Sequence, residues 1–252
     1  MPRFAVSDMR FSGFAFERGL IILIALVIIM QSLVLSGSSS SLESDHLYIV
    51  GLSNVEQKTV SKVSVGYFGL CIRSGQSVDC KKDLKSLALS VGSGLSQTSM
   101  LKYADAYRSD VLFSGFLVGS IALSLICAIL LATFPGWHED EDEITGSIID
   151  VKPFPSRPVV QVAHVCIIAS EMFAFIAALW QHVSAATFIA LINATDSIAK
   201  PHIGKIAVSF VWLSFGLLCL CHLGIWSIQV SMSVLDRLVS DGGSESEGEI
   251  AI

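Results

Sequence analysis

The chain holds 252 residues, of which 52% are hydrophobic and only 15% charged, with a net charge of −6. A soluble domain carries about a quarter charged residues, and the mean hydropathy here is +0.67. This balance excludes a soluble enzyme, a nucleic-acid binder with a basic stripe and a secreted disulfide-rich domain as readings of the whole chain. The P-loop, GxGxxG, HExxH and CxxC spacings are absent, so no cofactor is expected and the chain reads as non-enzymatic.

The segments 19–36, 111–134, 159–182 and 206–230 are apolar and contain one charge between them, Glu171. Each is near the ~20 residues that a helix needs to cross a ~30 Å hydrocarbon core. The expected fold class is therefore all-α transmembrane, a bundle of four helices. Ahead of the first span lies a short N-terminus, 1–18, with Arg3, Arg10 and Arg18. That arrangement also fits a signal peptide, with Val34, Leu35 and Ser36 as a cleavage site; a retained span is the preferred reading, because four spans return both termini to one side.

Between the first two spans lies a long loop, 37–110. It opens on a Ser/Gly linker at 36–42 and continues into two expected strands, 47–52 and 59–67, the second with Val60, Val63 and Val65 interleaved with Ser and Lys. Gly66 and Gly69 flank Tyr67 and Phe68, a pattern that lets the backbone bend while both rings reach an apolar surface. Cys71 and Cys80 are the two cysteines of this loop; the other four lie in the spans. A lone pair in a polar loop suits a disulfide formed in an oxidising compartment, worth roughly 2–3 kcal/mol to a small sheet. Beyond it, 81–107 has Leu84, Leu87, Val91, Leu95 and Leu101 at loosely helical spacing, read as a satellite helix over the sheet.

The loop 135–158 packs five acids into 139–143 and follows them with Pro153, Pro155 and Pro158. Adjacent acids form a solvated tether or a docking site for a basic partner; a calcium loop needs alternating ligands and a turn. The second loop on the side of 37–110 is 183–205, where Asn193, Ala194 and Thr195 form a glycosylation sequon. The tail, 231–252, is Ser/Gly/Glu-rich over 240–249 and reads as disordered. Basic residues near the span ends slightly favour the side of the termini. With the cysteine pair and the sequon, they place both termini in the cytosol.

Inside the membrane, a carboxylate at mid-span such as Glu171 is costly and suggests function. His164 lies two turns earlier in the same span, and His222 in the fourth span is a cross-helix candidate. A proton- or cation-sensitive cluster competes here with a protonated Glu171 that fixes helix register by hydrogen bonding. His164 and Glu171 are about 10.5 Å apart along a helix, too far to share one metal, so no metal site is assigned. Gly115 and Gly119 with Ser114 and Ser120, and a small face around Ala169, Ser170 and Ala174, permit close helix approach.

Gly66-Tyr67-Phe68-Gly69-Leu70-Cys71 with a second cysteine at Cys80, in a long loop after a first span, resembles the claudin and peripheral-myelin-protein superfamily. Within it the pattern is similar to the fungal pheromone-induced family of calcium-influx regulators and membrane-fusion proteins, the factor-induced mating protein family. The string Ala132-Thr-Phe-Pro-Gly-Trp-His138 and the acidic and Pro-rich stretches after it resemble filamentous-fungal members. Unlike animal claudins, the loop has no Trp ahead of its cysteines. The resemblance implies a claudin-like topology with a small disulfide-braced sheet in the first extracellular loop. It also implies a multi-pass plasma-membrane protein that regulates low-affinity calcium influx, polarised growth and cell fusion during mating. The partners implied are membrane lipids and a calcium channel subunit or a surface protein of the opposing cell, with no nucleic acid. Fungal eisosome and pH-sensing proteins share the layout, and with them the alternative of a cortical membrane-domain organiser with no direct role in ion flow.

Overall fold

A computed structural model describes residues 7–37, 47–54, 61–74, 77–81, 95–134, 138–141, 148–151, 156–195 and 199–245. The described chain is mostly helical. Helix α1 (Ser7–Ser36) is followed by strands β1 (Val50–Asn54), β2 (Ser61–Val65), β3 (Leu70–Ser74) and β4 (Ser77–Lys81). Then come α2 (Leu95–Ala106), a π-helical turn (Tyr107–Val111) and α3 (Gly115–Ala132). A hairpin of β5 (His138–Glu141) and β6 (Ile148–Val151) leads to α4 (Arg157–Thr195), β7 (Ala199–Ile203) and α5 (Lys205–Glu245). Helices α1, α3, α4 and α5 are long and apolar enough to cross a membrane.

Several expected boundaries shift. Helix α1 starts at Ser7 rather than Gly19. Helix α4 does not end at His182 but runs on to Thr195, because 183–195 has no Gly or Pro to break it and includes four alanines. Its extension is held by Ala185, Phe188 and Ile192, all buried at helical spacing, so the second loop shortens to the residues around β7. Helix α5 likewise continues past Val230 to Glu245, overturning the disordered tail up to that residue; with no proline to stop it, a helix already nucleated propagates at little cost. The acidic run enters β5, paired antiparallel with β6 with His138 opposite Val151 and Glu141 opposite Ile148. A strand therefore stands where a tether was expected, supplied with a partner by the β-branched Ile148, Ile149 and Val151. The linker beyond Gly37, the leucines at 84 and 87, Val91, Pro153, Pro155 and the last seven residues lie outside the described residues.

The chain divides into two compact units, and all four long helices contribute to both. The first comprises 1–25, 123–169 and 217–252. Within it, the Cys127 thiol donates to the Ala163 carbonyl at 3.6 Å, and the His164 and His222 rings lie 5.1 Å apart. Gly224 admits Leu20 and Phe16 of α1 at a distance that a side chain would close.

The second unit comprises 26–122 and 170–216. Its sheet has the order β4-β3-β2-β1-β7, antiparallel throughout. Alternation puts Val50, Leu52, Val63, Val65, Leu70 and Ile72 on one face, each 3% exposed or less. That face shares a core with Met100, Leu101 and Ala104 of α2, Leu117 of α3, Ala178 and Phe188 of α4, and Val211 of α5. Below it, buried polar groups pair off between helices. Gln31 Nε2 donates to Ser120 Oγ at 3.1 Å, and Ser170 Oγ donates to the Ser120 carbonyl at 2.9 Å.

Candidate functional site

The candidate site is the face of the five-stranded sheet that lies opposite its core, together with the turn and the cysteine pair at its end. Cys71 and Cys80 face each other directly across β3 and β4 and are joined as a disulfide. The other four cysteines take no part in a disulfide. Gly66 donates its N–H to the Gly69 carbonyl at 3.0 Å, closing a tight turn between β2 and β3. The turn separates the two rings that the sequence grouped together. Tyr67 is 8% exposed and enters the core, whereas Phe68 is 49% exposed and does not.

One row across the sheet is cationic. Arg73 stands opposite Lys62, Lys62 opposite Ser53, and Ser53 opposite Lys200, whose carbonyl accepts from Ser53 Oγ at 3.1 Å. Like charges directly opposite weaken a sheet, so the buried face must carry this row. Lys62 Nζ sits 4.2 Å above the Tyr48 ring, and the edge of His202 meets Tyr48 at 5.4 Å. His202 lies over Gly51, where a Cβ would run into the imidazole. Burial, then the Lys62 ammonium, holds His202 below the ordinary histidine range, while a backbone hydrogen bond at Lys200 acts the other way.

Two tyrosines seat the sheet on the helices. Tyr107 Oη pairs with Ser184 Oγ at 3.1 Å, and its ring lies 4.5 Å from Phe188. Burial pushes the Tyr107 phenol up to about 12, the Ser184 hydrogen bond opposing it. Burial and the neighbouring Tyr107 raise Tyr67 further. Both phenols stay neutral at any physiological pH.

Sequence reading missed β7. It lies in 183–205, read as a loop, and its Pro201 is tolerated because β7 is an edge strand, where a missing N–H costs the ladder nothing. The alternation around His202 and Ile203 was the available signal. The Gln31, Ser120 and Ser170 contacts were missed too, although a Gln inside an apolar run is visible in the sequence.

Of the intramembrane residues, His164 and His222 come together in the first unit. Glu171 belongs to the second unit, half-buried beside Ser170 on α4. Among the described residues no three His, Cys, Asp or Glu side chains converge as a metal-holding group. Asn193 is exposed on the last turn of α4, where Thr195 Oγ1 bonds back to the Leu191 carbonyl at 2.9 Å.

Among the described residues, four helices long and apolar enough to cross a membrane, with a disulfide-braced antiparallel sheet built from the segments between them, mark a multi-pass membrane protein. The chain belongs to the Fig1 family, described as Ca2+ regulator and membrane fusion protein, whose model matches residues 50–231 and so spans the sheet, the cysteine pair and the last three long helices. No curated protein matches the chain. Calcium regulation and membrane fusion are what the family is named for, and neither names a catalytic step.

Proposed function

We propose that the protein is a non-enzymatic regulator of low-affinity calcium influx and membrane fusion in fungal mating, set in the plasma membrane with both termini in the cytosol. Its fold is claudin-like, with the sheet on the outside and β7 of the second outer loop completing what the first loop begins. The observation that carries this reading is the sheet itself: five strands, one disulfide and a continuous core joining strands to helices. A face built so firmly and presenting Lys62, Arg73 and Lys200 in one row is suited to docking. Such a row repels a divalent cation, which favours regulation through a partner over direct calcium binding at this face. A calcium channel subunit or a protein on the opposing cell fits that role.

Cytosolic calcium evoked by mating factor, recorded with a luminescent reporter in cells lacking the protein, tests this. The expected result is loss of the late calcium rise and of cell fusion, both restored by the wild-type chain. Normal calcium with a disturbed cell cortex would transfer the role to an organiser of membrane domains.

A further inference from the structure

The Gly66-Tyr67-Phe68-Gly69 turn stands at the end of the sheet where the chain passes into its apolar helices. Gly204, the residue before α5, donates its N–H to the Ile49 carbonyl at 2.8 Å. Ile49 in turn donates to Val65 at 2.8 Å, and the turn begins at the next residue. Gly37, which ends α1 through a bond to the Leu33 carbonyl at 2.9 Å, packs against Leu47. The turn is thus two strand spacings from the start of α5, about 10 Å, and level with it.

Exposed aromatic residues also stand near the start of α3. Phe113, just before α3, is 55% exposed. Trp180 on α4 is 47% exposed, with its Nε1–H donating to the Val111 carbonyl at 2.9 Å. A Trp with its polar end satisfied and its apolar surface bare, as Trp180 has, collects where hydrocarbon meets headgroups. Ile206, on the first turn of α5, is exposed as well. These side chains belong to the surface that lipid covers on a membrane-crossing protein, and Phe68 extends that surface onto the sheet.

We propose that Phe68 is seated in the interfacial zone of the lipid leaflet, so that the sheet is anchored to the bilayer as well as to the helices. Lipid is the occupant, because the ring is level with helix ends that lipid surrounds. Two buried glycines, Gly66 and Gly69, flank the pair, and Tyr67 holds the opposite side in the core. The anchor lies three residues from Cys71, so the disulfide fixes the strand that carries it.

The test is tryptophan fluorescence of the full chain with Phe68→Trp in phosphatidylcholine nanodiscs, after subtraction of the wild-type emission of its four tryptophans. The added emission should be blue-shifted, at least twofold quenched by lipid brominated high on the acyl chains, and insensitive to aqueous iodide. Water-like emission quenched by iodide would overturn the proposal. So would blue-shifted emission that brominated lipid leaves unchanged, which would put protein, such as a second copy, over the ring. Should Phe68→Trp fail to form the Cys71 to Cys80 bond, a benzoylphenylalanine at position 68 gives a second reading. Photo-adducts to lipid support the anchor, and adducts to protein alone refute it.

Discussion

Among the described residues, β-structure forms twice, and the two results differ in what holds them. The five-stranded sheet has a buried face, a covalent brace and helices packed beneath it. The hairpin of β5 and β6 has two strands, with Glu139 in register with Asp150. Two-stranded hairpins are marginal in water, whereas three or more strands over an apolar face are independently stable. Both ladders set like charges in register, Lys62 against Arg73 in one and Glu139 against Asp150 in the other. The sheet tolerates the repulsion because six buried aliphatic residues stand behind it. Working surfaces that must keep their shape against a partner belong on the first kind of support.

The comparison breaks most severely at Gly204, where a Cβ would strike the Tyr48 carbonyl. Gly204→Val should cost about 3 kcal/mol through overpacking and lower the yield of folded protein at the cell surface; wild-type yield and melting temperature would remove the claim that β7 and α5 meet the sheet this closely. Next in size is the brace. Replacing Cys71 and Cys80 together by Ser should lose about 2–3 kcal/mol, read as a fall in the melting temperature of detergent-solubilised protein, and an unchanged melt would count against a structural role for the bond. Ser170→Ala should cost about 1 kcal/mol by leaving Ser120 short of a partner, and a stabilised variant would argue against that hydrogen bond.

A smaller effect is expected from pH. His202 is held below its ordinary value of 6.5 in the folded sheet, so the unfolded chain binds the extra proton first. Stability is full above about pH 6.5 and falls as pH drops through that value toward the lower folded one. His202→Gln should flatten this dependence in thermal melts between pH 7 and pH 5; an equally steep profile in the variant would assign the acid sensitivity elsewhere. Smallest of all, Ile149→Pro in the hairpin should shift the main unfolding transition by less than about 0.5 kcal/mol. A large shift would mean that the hairpin shares the sheet's cooperativity and that the contrast drawn here is wrong.

Much of this is legible in the amino-acid sequence. The spans could be read because a hydrocarbon core demands long charge-free runs, and 19–36, 111–134, 159–182 and 206–230 supply them. Cys71 and Cys80 could be paired because they share a polar loop. The ends of α1, α4 and α5 could not, since hydropathy marks where a helix leaves the hydrocarbon and says nothing of where hydrogen bonding stops. Ala185, Phe188 and Ile192 carry α4 onward through contacts with a sheet that is remote in sequence. The opposite fates of Tyr67 and Phe68 are set by a turn one residue long on each side. No periodicity can be read from two adjacent rings, and both were expected to reach an apolar surface.

The braced sheet, rather than the helices alone, is proposed as the working part. The most direct measurement is the late calcium rise evoked by mating factor in cells carrying Cys71→Ser and Cys80→Ser at surface levels matched to wild type. The rise should be lost while the protein remains in the membrane at wild-type amounts. A full calcium response from matched amounts of the unbraced protein would contradict it.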